Sequence, residues 1–471
     1  MAFRKNIQSR LLIAAVLMMF LYACSVTKPY ERPSDAVNFA AIRMENFPAD
    51  TTNIANLHWA DLFTDTQLQS YIREALANNP DAAIAQQQME IARSLLAQSR
   101  AAFGPVVSAG PSVSYNTQSL NTQIGRIVGD RQHNVQFGID ANLSWEADIW
   151  GRLRSNKRAA FAAFMQTEAA SYVVKSQLVA QVADTYFRLL ALDEQMKITR
   201  ETIETRQKAL ETSRALKDAG QLTEVAIQQS EAQVLNARGL LLTLANDTKL
   251  LENYFSMLIG RTAMAIPRGN FEGQEIAAVL SAGVPVHLLS NRPDVLAAEY
   301  ELNNAFELTN VAKASFYPAL RLNGSTGLQS LELDKLLNPF SFFAGLAGSL
   351  TQPLLQRRAL RTQKEVSLAR QQIAYQQYRH SILNAGREVS DALYNFETQR
   401  ELASIKQAEY RAYNLATGYS EELLNYALAN YLEVLRASEN ELNARLAFVN
   451  ARYGTLNAVV QLYQALGGGW K

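Results

Sequence analysis

The sequence predicts an α+β membrane protein made of two internal repeats, each with two amphipathic strands and a long helical hairpin. Three observations predict it. A segment that begins at Pro80 recurs at Pro293, strand-like alternation follows each copy, and residues 152–219 contain neither glycine nor proline. Self-similarity of this kind is the signature of a duplicated structural unit.

The two copies align without a gap. Each begins with Pro-Asp, continues as a helix-length run, and ends at a second proline, which is typical of a helix with a defined start and stop. The identical residues are Pro80, Asp81, Ala85, Ala92, Phe103 and Pro105 in the first copy and Pro293, Asp294, Ala298, Ala305, Phe316 and Pro318 in the second. We assign the first repeat to residues 66–265 and the second to residues 291–466.

The strands are predicted from a period of two in the apolar residues. They span residues 106–117 and 134–146 in the first repeat and 319–330 and 342–352 in the second. Their polar positions hold mainly Ser, Asn, Gln and Gly, which favours a membrane barrel with a wet interior over a sheet packed on soluble helices. Four strands per chain cannot close a barrel in lipid, so several chains must combine. The strands alone do not choose between a dimer and a trimer.

The predicted helical hairpins span residues 151–259 and 357–466. At 1.5 Å per residue, the first uninterrupted run would reach roughly 100 Å, longer than a single globular core requires. Its apolar residues, such as Val179, Val182 and Tyr186, form one narrow stripe. Such stripes fit a solvated coiled-coil stalk, or the staves of a water-filled tube that pack side by side. Amphipathic strands favour the tube, because a stalk does not need them.

The N-terminus has the parts of an export signal. Basic residues precede an apolar run from Leu11 to Leu21, and residues 1–23 are predicted to be a signal peptide. The sequence Leu21-Tyr22-Ala23-Cys24 resembles a bacterial lipobox, which implies acylation of Cys24, the chain's single cysteine. Ser25, rather than an aspartate, follows it and indicates the outer membrane. A plain signal peptide with an incidental cysteine is the alternative.

Composition excludes several functions. The net charge is +1, so no overall field favours nucleic acid. One cysteine and four widely spaced histidines predict neither a disulfide nor a metal site. No nucleophile elbow or phosphate-binding glycine loop is present, so we expect no catalytic residues, no cofactor and no enzymatic activity.

Basic and aromatic residues cluster where strands give way to long helices. Cations in the first turns of a helix oppose its dipole, so another interaction should favour them there. We interpret them as a girdle facing anionic lipid headgroups, with an ordinary solvated surface as the alternative. The girdle residues are Trp145, Trp150, Arg152, Arg154, Arg357, Arg358 and Arg361.

Five stretches in order resemble the outer-membrane factors of bacterial tripartite efflux systems, related to TolC and closest to the lipoprotein branch. They are "WADLFTDTQLQSYIREALANNPD" from Trp59, "LSWEADIWGRLRS" from Leu143, "LLSNRPDVLAAEYEL" from Leu288, "YLEVLRASENEL" from Tyr431 and "LYQALGGGW" from Leu462. The resemblance covers almost the whole mature chain.

This resemblance implies a homotrimer with a twelve-stranded transmembrane β-barrel, four strands per chain, continued by a long periplasmic α-helical barrel. Residues 24–65 would be a lipidated segment that also contributes to an equatorial region, residues 266–290 an equatorial connector, and residues 467–471 a C-terminal tail. The implied partners are a periplasmic adaptor protein, an inner-membrane RND-type pump and outer-membrane lipid. The implied function is passive conduction of substrates to the exterior.

The resemblance also places the gate and the adaptor contact at the periplasmic tips of the two hairpins. The tip residues are Asp218, Gly220, Glu224, Glu421, Glu422, Tyr426, Asn430 and Tyr431. Two other functions remain open: an exit duct for one-step protein secretion, and a structural coiled-coil lipoprotein.

Overall fold

The structure is a computed structural model that describes residues 26–33, 57–131, 133–274, 292–426 and 428–470. The predicted signal peptide, Cys24 and residues 275–290 of the predicted connector lie outside the described residues. Within those ranges, no helix combines the length and apolarity needed to cross a membrane.

The first repeat consists of helices, a strand pair and a long hairpin. Helix α1, at Trp59–Leu62, precedes this repeat, and α2, at Thr66–Asn78, is its first helix. The remaining elements are α3 at Pro80–Ala101, β1 at Val106–Thr117, α4 at Gln123–Val128, β2 at His133–Ala147, α5 at Arg152–Asp218 and α6 at Glu224–Leu258.

The second repeat has the same order of elements. They are α7 at Pro293–Ala314, β3 at Ala319–Ser330, β4 at Phe342–Thr351, α8 at Ala359–Asn425 and α9 at Tyr431–Ala465. Helices α3 and α7 both have 22 residues, α5 and α8 both have 67, and α6 and α9 both have 35. The equal lengths confirm the duplication predicted from the sequence.

Local side chains set the helix starts. Asp65 and Thr223 accept hydrogen bonds from the first free backbone N–H groups of α2 and α6, and Asn430 does the same for α9. Asp148 caps α5, because its carboxylate accepts from the N–H groups of Leu153 and Arg154 at 2.9 and 3.0 Å. Such caps replace hydrogen bonds that the helix cannot make internally.

The chain folds as two compact units, and each repeat contributes to both. One unit contains residues 26–33, 90–131, 133–166 and 299–377, and the other contains residues 57–89, 167–274, 292–298, 378–426 and 428–470. The first unit holds all four strands, in one antiparallel sheet of order β1-β2-β3-β4. Strands β2 and β3 join the two repeats within that sheet.

The second unit is helical and has the larger apolar core. Its core is formed by residues of α1, α2, α5, α6, α8 and α9, and the largest fully buried side chains include Tyr186, Phe63 and Phe255. The predicted stripe on α5 is confirmed here, since Val179, Val182 and Tyr186 are all buried.

A hydrogen-bond network ties separate segments of the second unit together. The Tyr186 hydroxyl donates to Asp65 at 2.9 Å, and the Gln274 amide donates to the same carboxylate oxygen at 2.8 Å. The Tyr463 hydroxyl donates to the carbonyl of Leu57 at 2.8 Å. The segment before α2, the chain after α6 and the C-terminal helix therefore meet around α5.

Alkaline pH is expected to weaken this unit through Tyr463. Burial raises its pKa from 10.0 to about 12. The folded state then holds the phenolic proton more tightly than the unfolded state, so this stabilisation is complete below pH 10 and is lost as pH rises toward 12. Melting temperature measured between about pH 9 and 12 should fall less steeply in Tyr463→Phe than in the unsubstituted protein. Tyr419→Phe, at an exposed site on α8, is the control that should not change the slope. An unchanged slope in Tyr463→Phe would contradict the assignment.

Candidate functional site: the two-faced sheet and the helix tips

The sheet register separates apolar from polar residues across all four strands. Val107, Leu143, Gly324 and Leu346 lie in one row of paired positions. In the adjacent row, on the opposite face, lie Ser108, Asn142, Ser325 and Gly345. Because side chains alternate between faces along a strand, this register gives one face that carries most of the large apolar groups and one that is mainly small and polar. Val106 and Phe343 are the large apolar residues on the polar face.

The apolar face is uncovered in the single chain. Val113 is 69% exposed and Leu346 is 73% exposed, with Tyr115 and Phe342 similar. A soluble sheet would bury such residues against helices, so that alternative is wrong. A continuous exposed apolar face is the arrangement that lipid stabilises.

Both outer strands have an unpaired edge. Strand β1 pairs only with β2, and β4 pairs only with β3, among the described residues. Their backbone N–H and C=O groups on the outer side therefore need partners from another chain if the sheet lies in lipid.

The two tryptophans of the predicted girdle are hydrogen-bonded where the strands meet the helices. The Trp145 indole donates to the carbonyl of Phe103 at 2.9 Å, and the Trp150 indole donates to the carbonyl of Pro318 at 2.8 Å. Trp150 also packs against Tyr317 with a ring distance of 5.0 Å. Both rings keep a polar group satisfied at the predicted position of the membrane interface.

The arginines of the first cluster have acidic partners that the sequence prediction did not include. Arg152 pairs with Glu146 at 2.8 Å, and Arg154 pairs with Asp148 at 3.0 Å. These carboxylates offset the unfavourable interaction between the arginine cations and the helix dipole. That interaction was the reason for predicting a contact with lipid headgroups. Ion pairs within the chain therefore explain why Arg152 and Arg154 can lie in the first turn of a helix, without a contact to lipid headgroups.

The second arginine cluster is different. Arg357 and Arg358 have positive φ angles of 45° and 67°, at the corner where β4 leads into α8. Arg358 pairs with Glu365 at 3.0 Å. Arg357 and Arg361 make no ion pair with any described residue. Of the arginines in the predicted girdle, these two carry charges that no described acidic residue compensates.

The first tip is a compact turn between α5 and α6. Gly220 takes a φ of +76°, and the N–H of Gln221 donates to the carbonyl of Leu216 at 2.9 Å, which ends α5 with a left-handed cap. Lys217 forms an ion pair with Glu224. Their hydrogen bond raises the pKa of Lys217 and lowers the pKa of Glu224, so both stay charged at neutral pH. Asp218 is exposed.

The second tip joins α8 to α9 and holds exposed and buried residues. Glu421, Glu422 and Asn430 are exposed, and Tyr426 is 71% exposed. Tyr431, by contrast, is only 8% exposed, and its hydroxyl is 2.8 Å from that of Ser230 on α6. Tyr431 thus links the two hairpins, and Ser230 is a partner that no sequence pattern indicated.

The sequence also left one notable residue of the sheet unassigned. Asp140 lies at the middle of β2 on the polar face, and aspartate is depleted in strands. An aspartate within a predicted strand was therefore the sequence signal that could have identified this residue. In the described part of the chain, no cluster of His, Cys, Asp or Glu is placed to hold a metal ion.

Comparison with known proteins agrees with this geometry. The sequence pattern of the outer membrane efflux protein family matches residues 71–261 and 284–468, one match in each repeat. The chain belongs to the outer membrane efflux protein family. It is an efflux channel protein of the outer membrane, with a periplasmic helical extension.

Individual relatives match over nearly their whole length. The chain is 28% identical to the toluene efflux pump outer membrane protein TtgF of Pseudomonas putida, covering 97% of this chain and 96% of the relative. It is 25% identical to the probable outer membrane lipoprotein SilC of Salmonella typhimurium, covering 98% and 99%. The open-state structure of the Neisseria gonorrhoeae MtrE outer membrane channel superposes with a TM-score of 0.84 at 26% identity, covering 95% of this chain and 99% of that one. The predicted fold class is confirmed.

A girdle that contacts anionic lipid should depend on the arginines without internal partners. We expect Arg357→Gln with Arg361→Gln to lower the fraction of protein inserted in the outer membrane severalfold, because each cation near an anionic surface contributes about 1 kcal/mol. The measurement is membrane-fraction yield in cells. Arg152→Gln with Arg154→Gln, at positions that are paired internally, removes the same charge, is the matched control and should insert better. If both variants insert as well as the unsubstituted protein, the prediction that this girdle contacts anionic lipid is wrong.

Proposed function

We propose that three copies of this chain close a twelve-stranded barrel, in which β4 of one copy pairs with β1 of the next. The open edges of β1 and β4 support this, because lipid cannot satisfy their backbone groups. The strand order supports it too. With four strands in up-and-down order, β4 runs antiparallel to β1, so each new junction has the same antiparallel pairing as those within a chain.

The function that follows is passive conduction. Substrate expelled by an inner-membrane RND-type pump enters through a periplasmic adaptor and leaves through the trimer. The observation that carries this proposal is the two-faced sheet, whose apolar side suits lipid and whose small polar side suits a wet lumen. The chain needs no catalytic group, because the pump supplies the free energy.

The adaptor is proposed to bind the exposed residues of the two tips. Asp218, Glu224, Glu421, Glu422, Tyr426 and Asn430 are all exposed there, and Gly220 sets the shape of the first turn. Tyr431 is proposed to hold the second tip in place through Ser230 rather than to contact the adaptor.

Cys24 is proposed to be acylated and to add a lipid anchor in the outer membrane. The lipobox-like residues before it support this, and so does the similarity to SilC, which is named a probable outer membrane lipoprotein. If the barrel closes as proposed, the lipid is a second attachment rather than the only one.

A charge placed on either face of the sheet tests the barrel. Leu346→Lys puts an ammonium group toward lipid, at a cost of about 2–4 kcal/mol near the midplane, and should abolish the heat-modifiable trimer in semi-native electrophoresis. Asn323→Lys is the matched control on the polar face and should still form the trimer. Efflux of pump substrates from a strain lacking the chain should be restored by the control and not by Leu346→Lys. Equal behaviour of the two variants, or a monomer released by salt, would overturn the proposal.

The same electrophoresis separates the barrel from the lipid anchor. Cys24→Ala, exported by a cleavable signal, should lose incorporation of labelled palmitate and keep the membrane-embedded trimer. Release of this variant to the soluble periplasm would contradict the barrel as the main attachment.

Photo-crosslinking at the second tip tests the adaptor contact. A photoreactive phenylalanine at Tyr426, which is exposed, should crosslink the adaptor in cells. The same group at Tyr431, five residues further along the chain and buried, should crosslink within the chain instead. An adaptor adduct from position 431 and none from 426 would contradict the assignment.

A further inference from the structure

Asp140 occupies the centre of the polar face of the sheet. It is the eighth of the 15 residues of β2, and its paired neighbours on β1 and β3 are Gly110 and Gly327. At about 3.3 Å per residue, it lies roughly 20 Å along the strand from Glu146 near the helix end. Glycine on both sides leaves Asp140 without a side chain at the paired positions of the adjacent strands, and the next residue of its row is Phe343 on β4.

The central part of this face carries no other charge. The polar-face positions of the four strands hold three charged residues, namely Asp140, Glu146 and Arg321. Glu146 lies 2.8 Å from Arg152 and 3.7 Å from Arg321, so it is compensated at the helix end of the sheet. Asp140 makes no ion pair with any described residue.

Neutral donors hold the Asp140 carboxylate. The Ser112 hydroxyl donates to Oδ1 at 3.0 Å, and the Asn142 amide donates to Oδ2 at 2.8 Å. These hydrogen bonds fix the direction of the side chain without cancelling its charge. A fixed, uncompensated carboxylate on a wet wall acts on passing ions.

We propose that Asp140 sets the ion preference of the barrel lumen, favouring cations and opposing anions at mid-membrane depth. This rests on the proposed trimer, in which the three copies of Asp140 form one ring of negative charge. Rings of acidic side chains are the device by which wide pores select cations. At 0.1 M salt the Debye length is about 10 Å, so the ring acts on solutes that pass close to the wall.

The charge can be measured with a thiol reporter beside it. Gln329 is exposed on the polar face, pairs with Gly138, and is a diagonal neighbour of Asp140. Diagonal neighbours have Cα atoms about 7–8 Å apart. The reporter is Gln329→Cys, treated on intact cells with a cationic and an anionic methanethiosulfonate of similar size. Both reagents enter from the loop end of the barrel, so the state of the periplasmic tips does not limit the reaction.

The expected result is a lower preference for the cationic reagent when Asp140 is neutral. In Asp140→Asn, the ratio of cationic to anionic rate constants should fall about two- to threefold at 0.1 M salt. Asp140→Glu should keep the ratio, and Ser112→Ala, which removes one donor and no charge, should also keep it. Cells that carry the parent protein without the reporter give the background from other thiols, since acylated Cys24 has no free thiol to react.

The salt dependence of the ratio can be measured in the reporter that retains Asp140, so this test does not depend on whether the Asp140→Asn variant folds. At 1 M salt the Debye length is about 3 Å, so the ratio should approach that of the two reagents with a free thiol. A salt-independent ratio, or the same ratio in Asp140→Asn as in the parent reporter, overturns the role of Asp140. If neither reagent reaches Gln329→Cys, the wet lumen itself is absent and the proposed channel fails with it.

Discussion

The structure depends on one constraint: a backbone N–H or C=O group that faces lipid must have a hydrogen-bond partner. Each chain offers a four-stranded sheet with an exposed apolar face and two edges that no described residue pairs with, which is not stable alone in a membrane. The even number of strands lets a copy continue the sheet of its neighbour with antiparallel pairing throughout. Assembly is therefore a requirement of the fold and not an addition to it.

The duplication fits that constraint. Equal lengths of α3 and α7, of α5 and α8, and of α6 and α9 give each repeat the same strand pair and the same hairpin. Because β2 pairs with β3, the repeats are joined through the sheet, and each compact unit takes segments from both. The tips differ nevertheless, since a glycine cap and a Lys217–Glu224 ion pair shape one, whereas the Tyr431–Ser230 contact anchors the other.

The degree to which charges are compensated differs along the length of the sheet. At the helix end, the arginines that follow β2 meet Glu146 and Asp148, so opposite charges are compensated within the chain. At the centre, the donors that Asp140 finds among the described residues are neutral. The charges of Glu146 and Asp148 are thus compensated locally, whereas Asp140 keeps the charge that we propose acts on the lumen.

The sequence by itself determined the elements, because strand alternation, proline stops and glycine-free runs are local signals. The predicted strands 106–117 and 319–330 agree with Val106–Thr117 and Ala319–Ser330, and the other two agree within a residue. Only the tertiary structure decided which charges are compensated and which tip residues are buried. Glu146 with Arg321 and Ser230 with Tyr431 are far apart in the chain, and contacts of that kind depend on register and packing that no local pattern records.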